Sequence, residues 1–99
     1  MVELQRGLVV AAKAGRDKGR YFAVLGVEGE RAFLADGDMR KLEKPKAKNL
    51  RHLALTKTVL SEQALLTNKQ LHKALREGGF TPQTHTGATR TPEGGNTLG

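Results

Sequence analysis

Between residues 14 and 20 the chain reads Ala14-Gly15-Arg16-Asp17-Lys18-Gly19-Arg20. Two glycines bracket two cations and a carboxylate, and another cation follows. Glycine at 15 and 19 permits positive φ and leaves backbone N–H groups uncovered. A turn of this kind can hold a phosphate or let another backbone approach closely. Arg16, Lys18 and Arg20 would then supply the charge, because phosphate contacts typically come from loops and basic side chains. The alternative is a hairpin loop with solvated charges, in which Asp17 hydrogen-bonds the turn. The residues alone leave both open.

A second basic segment spans residues 40–51. It holds Arg40, Lys41, Lys44, Lys46, Lys48 and Arg51, opposed only by Glu43, and is the densest positive charge in the chain. It can contact phosphates, or it can guard a sheet edge against pairing, a use known for Lys and for a proline such as Pro45. If both segments share a face they form one electrostatic footprint. Aromatic side chains are few: Tyr21, Phe22, Phe33 and Phe80. Strand alternation sends Tyr21 and Phe22 to opposite faces. Tyr21, beside Arg20, can stack on a base or sit half-buried with a wet hydroxyl.

Other chemistries find little support. His52, His72 and His85 lack ligand spacing, and His52 reads as a packing residue before a basic one. There is no Ser-His-acid set and no carboxylate pair. The GRDKGR run lacks the spacing and the Lys-Ser/Thr ending of a P-loop. We therefore expect no enzyme activity, no cofactor, no metal and no small-molecule substrate. Cysteine is absent, which excludes disulfides and thiolate sites.

These residues need elements to position them. The chain has 99 residues, 37% of them hydrophobic, with 17 basic against 10 acidic residues and a net charge of +7. That length fits one small domain with a thin core. The charge points to a polyanionic partner, nucleic acid first. No apolar run is long enough to cross a bilayer, and the N-terminal run lacks the pattern of a signal peptide. The expected location is the cytoplasm.

Residues 6–13 (RGLVVAAK), 20–27 (RYFAVLGV), 30–35 (ERAFLA) and 50–56 (LRHLALT) read as strands, with turn signals at Glu28-Gly29 and Asp36-Gly37. Residues 38–49 read as loop or edge strand. Gly26, isolated inside the second run, reads as a bulge or bend of the kind a small barrel needs. Ser61 can cap a short turn. Thr67 and Gln70 form a capping box, followed by an amphipathic helix over 68–77 with Gly78 beyond its end. Residues 81–99, rich in Gly, Thr and Pro, read as disordered. The fold class is thus mainly β: a small barrel over residues 1–57, a helical extension over 58–79 packed on it, and a tail over 80–99.

The run from Val10 to Arg20, continued by Ala23-Val24, resembles the KOW motif, with Gly15, Lys18, Gly19, Arg20 and Val24 at the matching places. Phe22 stands where the motif often has a smaller residue. Residues 31–37 (RAFLADG) and 49–53 (NLRHL), with the basic stretch between them, are similar to the fourteenth large-subunit ribosomal protein family of archaea and eukaryotes, and to bacterial KOW-domain proteins of this size. The resemblance covers about residues 5–78. It implies an SH3-like barrel that binds RNA, usually ribosomal RNA; the expected partners are RNA and ribosomal proteins, and the expected state is a monomer. With the charge and stacking arguments above, the expected RNA-binding residues are Gly15, Arg16, Lys18, Gly19, Arg20, Tyr21, Arg40, Lys41, Lys44, Lys46, Lys48 and Arg51. A protein-interaction module of the transcription or translation machinery is the other reading, because an exposed sheet edge can accept a strand.

Overall fold

The run LVVAA looks uniformly apolar because it is covered on both sides. In the computed structural model, which describes residues 3–80, it forms β1 (Leu8–Ala12). Its alternate side chains enter two different clusters. Leu8, Val10 and Ala12 join Phe22, Val24, Ala32, Leu34 and Leu53 on one face of a sheet. Val9 joins Ala23, Ala35, Leu65, Leu71 and Leu75 on the other. A strand buried on both faces reads as a continuous apolar run rather than an alternating one.

The remaining strands are β2 (Tyr21–Glu28), β3 (Arg31–Ala35), β4 (Lys46–Asn49) and β5 (Leu53–Val59). They form one antiparallel sheet in the order β4-β3-β2-β1-β5. β4 and β5 are therefore the two edges, and no ladder joins them among the described residues. The sheet is open rather than closed. β2 carries the anticipated irregularity. Val24 pairs with Leu34 and Gly26 with Phe33, so two residues of β2 advance against one of β3. Such a bulge bends the strand and increases its twist. Phe22, 1% exposed, is the largest fully buried side chain. Truncating it to alanine would cost about 3–5 kcal/mol.

Residues 50–52 differ from the expected strand. Leu50–His52 is a 3-10 turn, and β5 begins only at Leu53. The Asn49 side chain accepts from the Arg51 N–H at 3.0 Å and starts that turn. Two long-range backbone bonds hold it, from Leu50 N–H to Glu30 O (2.8 Å) and from Lys13 N–H to His52 O (2.8 Å). The LRHL pattern suits either conformation, and these partners decide it.

Helix α1 (Asn68–Glu77) has the anticipated bounds. Thr67 caps it by accepting from the Gln70 N–H at 3.1 Å. The reciprocal half of the box differs: the Thr67 hydroxyl meets Gln70 Oε1 at 3.4 Å instead of Gln70 reaching the Thr67 backbone. At the other end Gly78 is the cap residue, and the positive φ (81°) falls one residue later, at Gly79. Phe80 N–H donates to Leu75 O (2.8 Å) and Gly79 N–H to Arg76 O (3.1 Å). That pair of bonds is a Schellman motif. It turns Phe80 back onto the sheet, where its ring meets Tyr21 with centroids 5.1 Å apart. Phe80 thus belongs to the packed unit, not to the tail assigned from residue 80. The rest of that tail lies outside the described residues.

Candidate functional site

The loop between β1 and β2 is held by its own backbone. Gly15 and Gly19 both take positive φ, at 80° and 87°. Lys18 N–H donates to Gly15 O, Arg20 N–H to Asp17 O, and Gly19 N–H to Ala12 O. Three amides that could have cradled a phosphate are thus committed to the turn itself. Arg16 and Lys18 are exposed at its tip.

Asp17 points the other way. Its side chain is only 9% exposed and lies 3.3 Å from Arg40 Nη2 and 3.3 Å from Lys46 Nζ. Burial opposes its ionisation. The hydrogen bond from Lys46 and the charges of Arg40 and Lys46 together outweigh that, holding its pKa below the usual aspartate value. Asp17 is therefore an ion-pair hub joining the β1–β2 loop to the basic segment, and not only a turn former. The two basic segments adjoin at this carboxylate. Of the cations assigned to phosphate contact, Arg40 and Lys46 already share this one carboxylate.

The loop between β3 and β4 is fixed from its other side. Asp36 is buried, and one carboxylate oxygen accepts from the N–H groups of Asp38 (2.9 Å) and Arg40 (2.8 Å). Gly37 (φ 79°) lies against α1 so closely that a β-carbon there would overlap the Asn68 carbonyl. Asn68 in turn accepts from the Leu42 N–H at 2.7 Å and donates to Glu43 Oε1 at 2.6 Å. That donation, with a backbone hydrogen bond, lowers the pKa of Glu43. Lys41 and Lys44 stay exposed on a loop pinned at both ends.

Arg20 and Tyr21 do not face the same way as Arg16 and Lys18. They border a small cavity of about 20 Å³ with Asp36, Asp38, His72 and Phe80. The Arg20 Nε is buried without a hydrogen-bond partner among the described residues. Tyr21 is half-buried, with its ring against Phe80, while Phe22 is the core residue of the pair. This division answers the choice that strand alternation left open.

Lys48 enters a different surface. It lines a groove of about 380 Å³ with Ala14, Gly15, Arg31, Ala47, Asn49 and His52. Arg31 and His52 were not among the residues assigned from sequence, and His52 is exposed rather than packed. The register pairs Arg31 with Asn49 and so brings it to the 3-10 turn. Among the described residues, Arg16, Lys18, Arg31, Lys41, Lys44, Lys48 and Arg51 make no ion pair. Nor do any described His, Asp or Glu side chains cluster as a metal site. Neither a protein-family model nor a curated protein matches this chain.

Proposed function

We propose that the protein is a non-enzymatic RNA-binding module of the KOW type, with its bent sheet acting as an SH3-like barrel, working on ribosomal or other structured RNA in the translation machinery. One observation carries the reading. Two basic segments distant in sequence adjoin at Asp17, and apart from Arg40 and Lys46, which pair with it, the cations of those segments make no ion pair among the described residues. Arg16, Lys18, Lys41, Lys44, Lys48 and Arg51 would neutralise phosphates. Arg31 joins them. Arg40 and Lys46 serve mainly to hold the loops together, and Arg20 and Tyr21 support the loop from the α1 side.

The test is a fluorescence-anisotropy titration with structured ribosomal RNA fragments at several salt concentrations. Affinity should fall steeply with salt. The double variant Arg16→Glu, Lys18→Glu touches only exposed, unpaired side chains, so its melting temperature should stay unchanged. Its affinity should drop, and the salt slope should shrink by about one per lost phosphate contact. RNA binding that is insensitive to this variant sinks the loop assignment.

A second reading rests on the β5 edge. Leu55 and Val59 are 44% and 48% exposed on a strand whose outer side pairs with no other strand among the described residues, a surface suited to strand addition by a protein. Absence of RNA binding even at low salt would favour it.

A further inference from the structure

The groove between the β1–β2 loop and the β4 edge differs from the rest of the basic surface. Arg16, Lys18, Lys41 and Lys44 stand exposed on the two loops. Here Arg31, Lys48 and His52 converge on a concavity of about 380 Å³ whose lining includes no carboxylate. The walls are fixed. Lys13 N–H to His52 O and Leu50 N–H to Glu30 O hold the 3-10 turn against the neighbouring strand ends, and Asn49 caps it. Gly15 is part of the lining, and a β-carbon there would lie 3.4 Å from Lys48 Nζ. Lys46, two residues away on β4, is bound to Asp17, whereas Lys48 and Arg31 make no ion pair among the described residues and leave their charge to the groove.

A bare phosphate needs no concavity of this size; the volume falls near the lower end of small-ligand pockets, roughly 300–1,000 Å³. Arg31 and His52 add planar groups on which a base can stack, and Asn49 adds an amide edge. Unpaired bases splayed from an RNA strand are recognised by such stacking and edge contacts, whereas bases stacked within an A-form helix cannot enter a cleft. We infer that this groove seats one unpaired nucleotide of the bound RNA, its phosphate on Lys48 and its base between Arg31 and His52. The inference rests on the RNA-binding reading and adds to it a preference for bulged or looped RNA over continuous duplex.

The experiment has two arms. In the first, the isotope-labelled full chain is titrated by NMR with a nucleoside monophosphate, with inorganic phosphate and with a nucleoside. The monophosphate should give saturable shifts at Gly15, Arg31 and residues 47–52, stronger than those from phosphate. Equal shifts from phosphate and monophosphate, or shifts only at Arg16 and Lys18, overturn the inference. In the second arm, a hairpin with a single-nucleotide bulge is compared with the same hairpin fully paired. The bulged RNA should bind about tenfold more tightly, the scale of one base stack. Lys48→Gln and, separately, His52→Ala should each reduce that preference without shifting the melting temperature. If both hairpins bind equally and the monophosphate leaves the groove unshifted, the pocket fails while RNA binding stands. If neither hairpin binds, the RNA-binding reading fails and takes the pocket with it.

Discussion

At Asp17 a carboxylate is withdrawn from water and given two cations, and the consequence for binding runs against simple charge counting. Neutralising it as Asp17→Asn raises the net charge of a basic protein, so a purely electrostatic argument expects tighter binding to RNA. If Asp17 instead positions the two basic segments, the same substitution frees Arg40 and Lys46 and lets the loops separate. The expected outcome is a loss of stability of about 1–2 kcal/mol, because both cations stay about a third exposed and re-solvate. In a domain of this size that lowers the melting temperature by roughly 5–15 °C. RNA affinity, read by anisotropy below the melting temperature, should fall several-fold; a rise would assign Asp17 no positioning role. The sequence displayed this residue plainly but not its role. Turn chemistry is local and readable, whereas Arg40 is 23 positions away, and nothing in either segment's spacing announces the pairing. The same limit hid Arg31 and His52, which reach one groove only through the β3–β4 register and the 3-10 turn.

Helix α1 does two jobs with different faces. Leu71 and Leu75, 0% and 2% exposed, bury the outer face of the sheet, and that job was readable from helical spacing. The other job belongs to its first residue. Asn68 holds the basic loop through Leu42 and Glu43, while Thr67, not Asn68, caps the helix. Removing the Asn68 amide should therefore loosen the loop and leave the helix intact. For Asn68→Ala we expect a stability loss of about 1 kcal/mol, the scale of a hydrogen bond. Amide exchange should accelerate at Leu42 with little change at Leu71 and Leu75. Fraying of the helix instead would mean that Asn68 acts on α1 and not on the loop. The short β4 edge follows the same division. Its Lys and Pro composition suggested an edge or a loop, and it is an edge strand; that one of its two lysines is paired with Asp17 and the other free could not be read from composition.

On the scale of the whole molecule, the sheet is buried on both faces while the 99-residue chain carries a net charge of +7. Residues 1–57 and 58–79 read as a barrel and a helical extension packed on it. Val9, Ala23 and Ala35, all fully buried beside Leu65, Leu71 and Leu75, make the helical segment one half of a shared core. The molecule should then unfold in a single transition, and its acid sensitivity should report the ion-pair hub. Asp17 and Glu43 both have folded pKa values below their ordinary ones, which are 3.8 and 4.5. The unfolded chain therefore takes up these protons first as pH falls. Their contribution is complete above the ordinary carboxylate range and is lost as pH drops through the lower folded values. Self-repulsion grows over the same range as acidic groups are neutralised. The melting temperature should be nearly level from about pH 7 to pH 5 and should fall below about pH 4. Asp17→Asn should start lower and fall less, so that the two profiles converge in acid. Parallel profiles down to the most acidic folded conditions would show that the loss comes from general charge repulsion, and that the Asp17 hub contributes nothing that acid can remove.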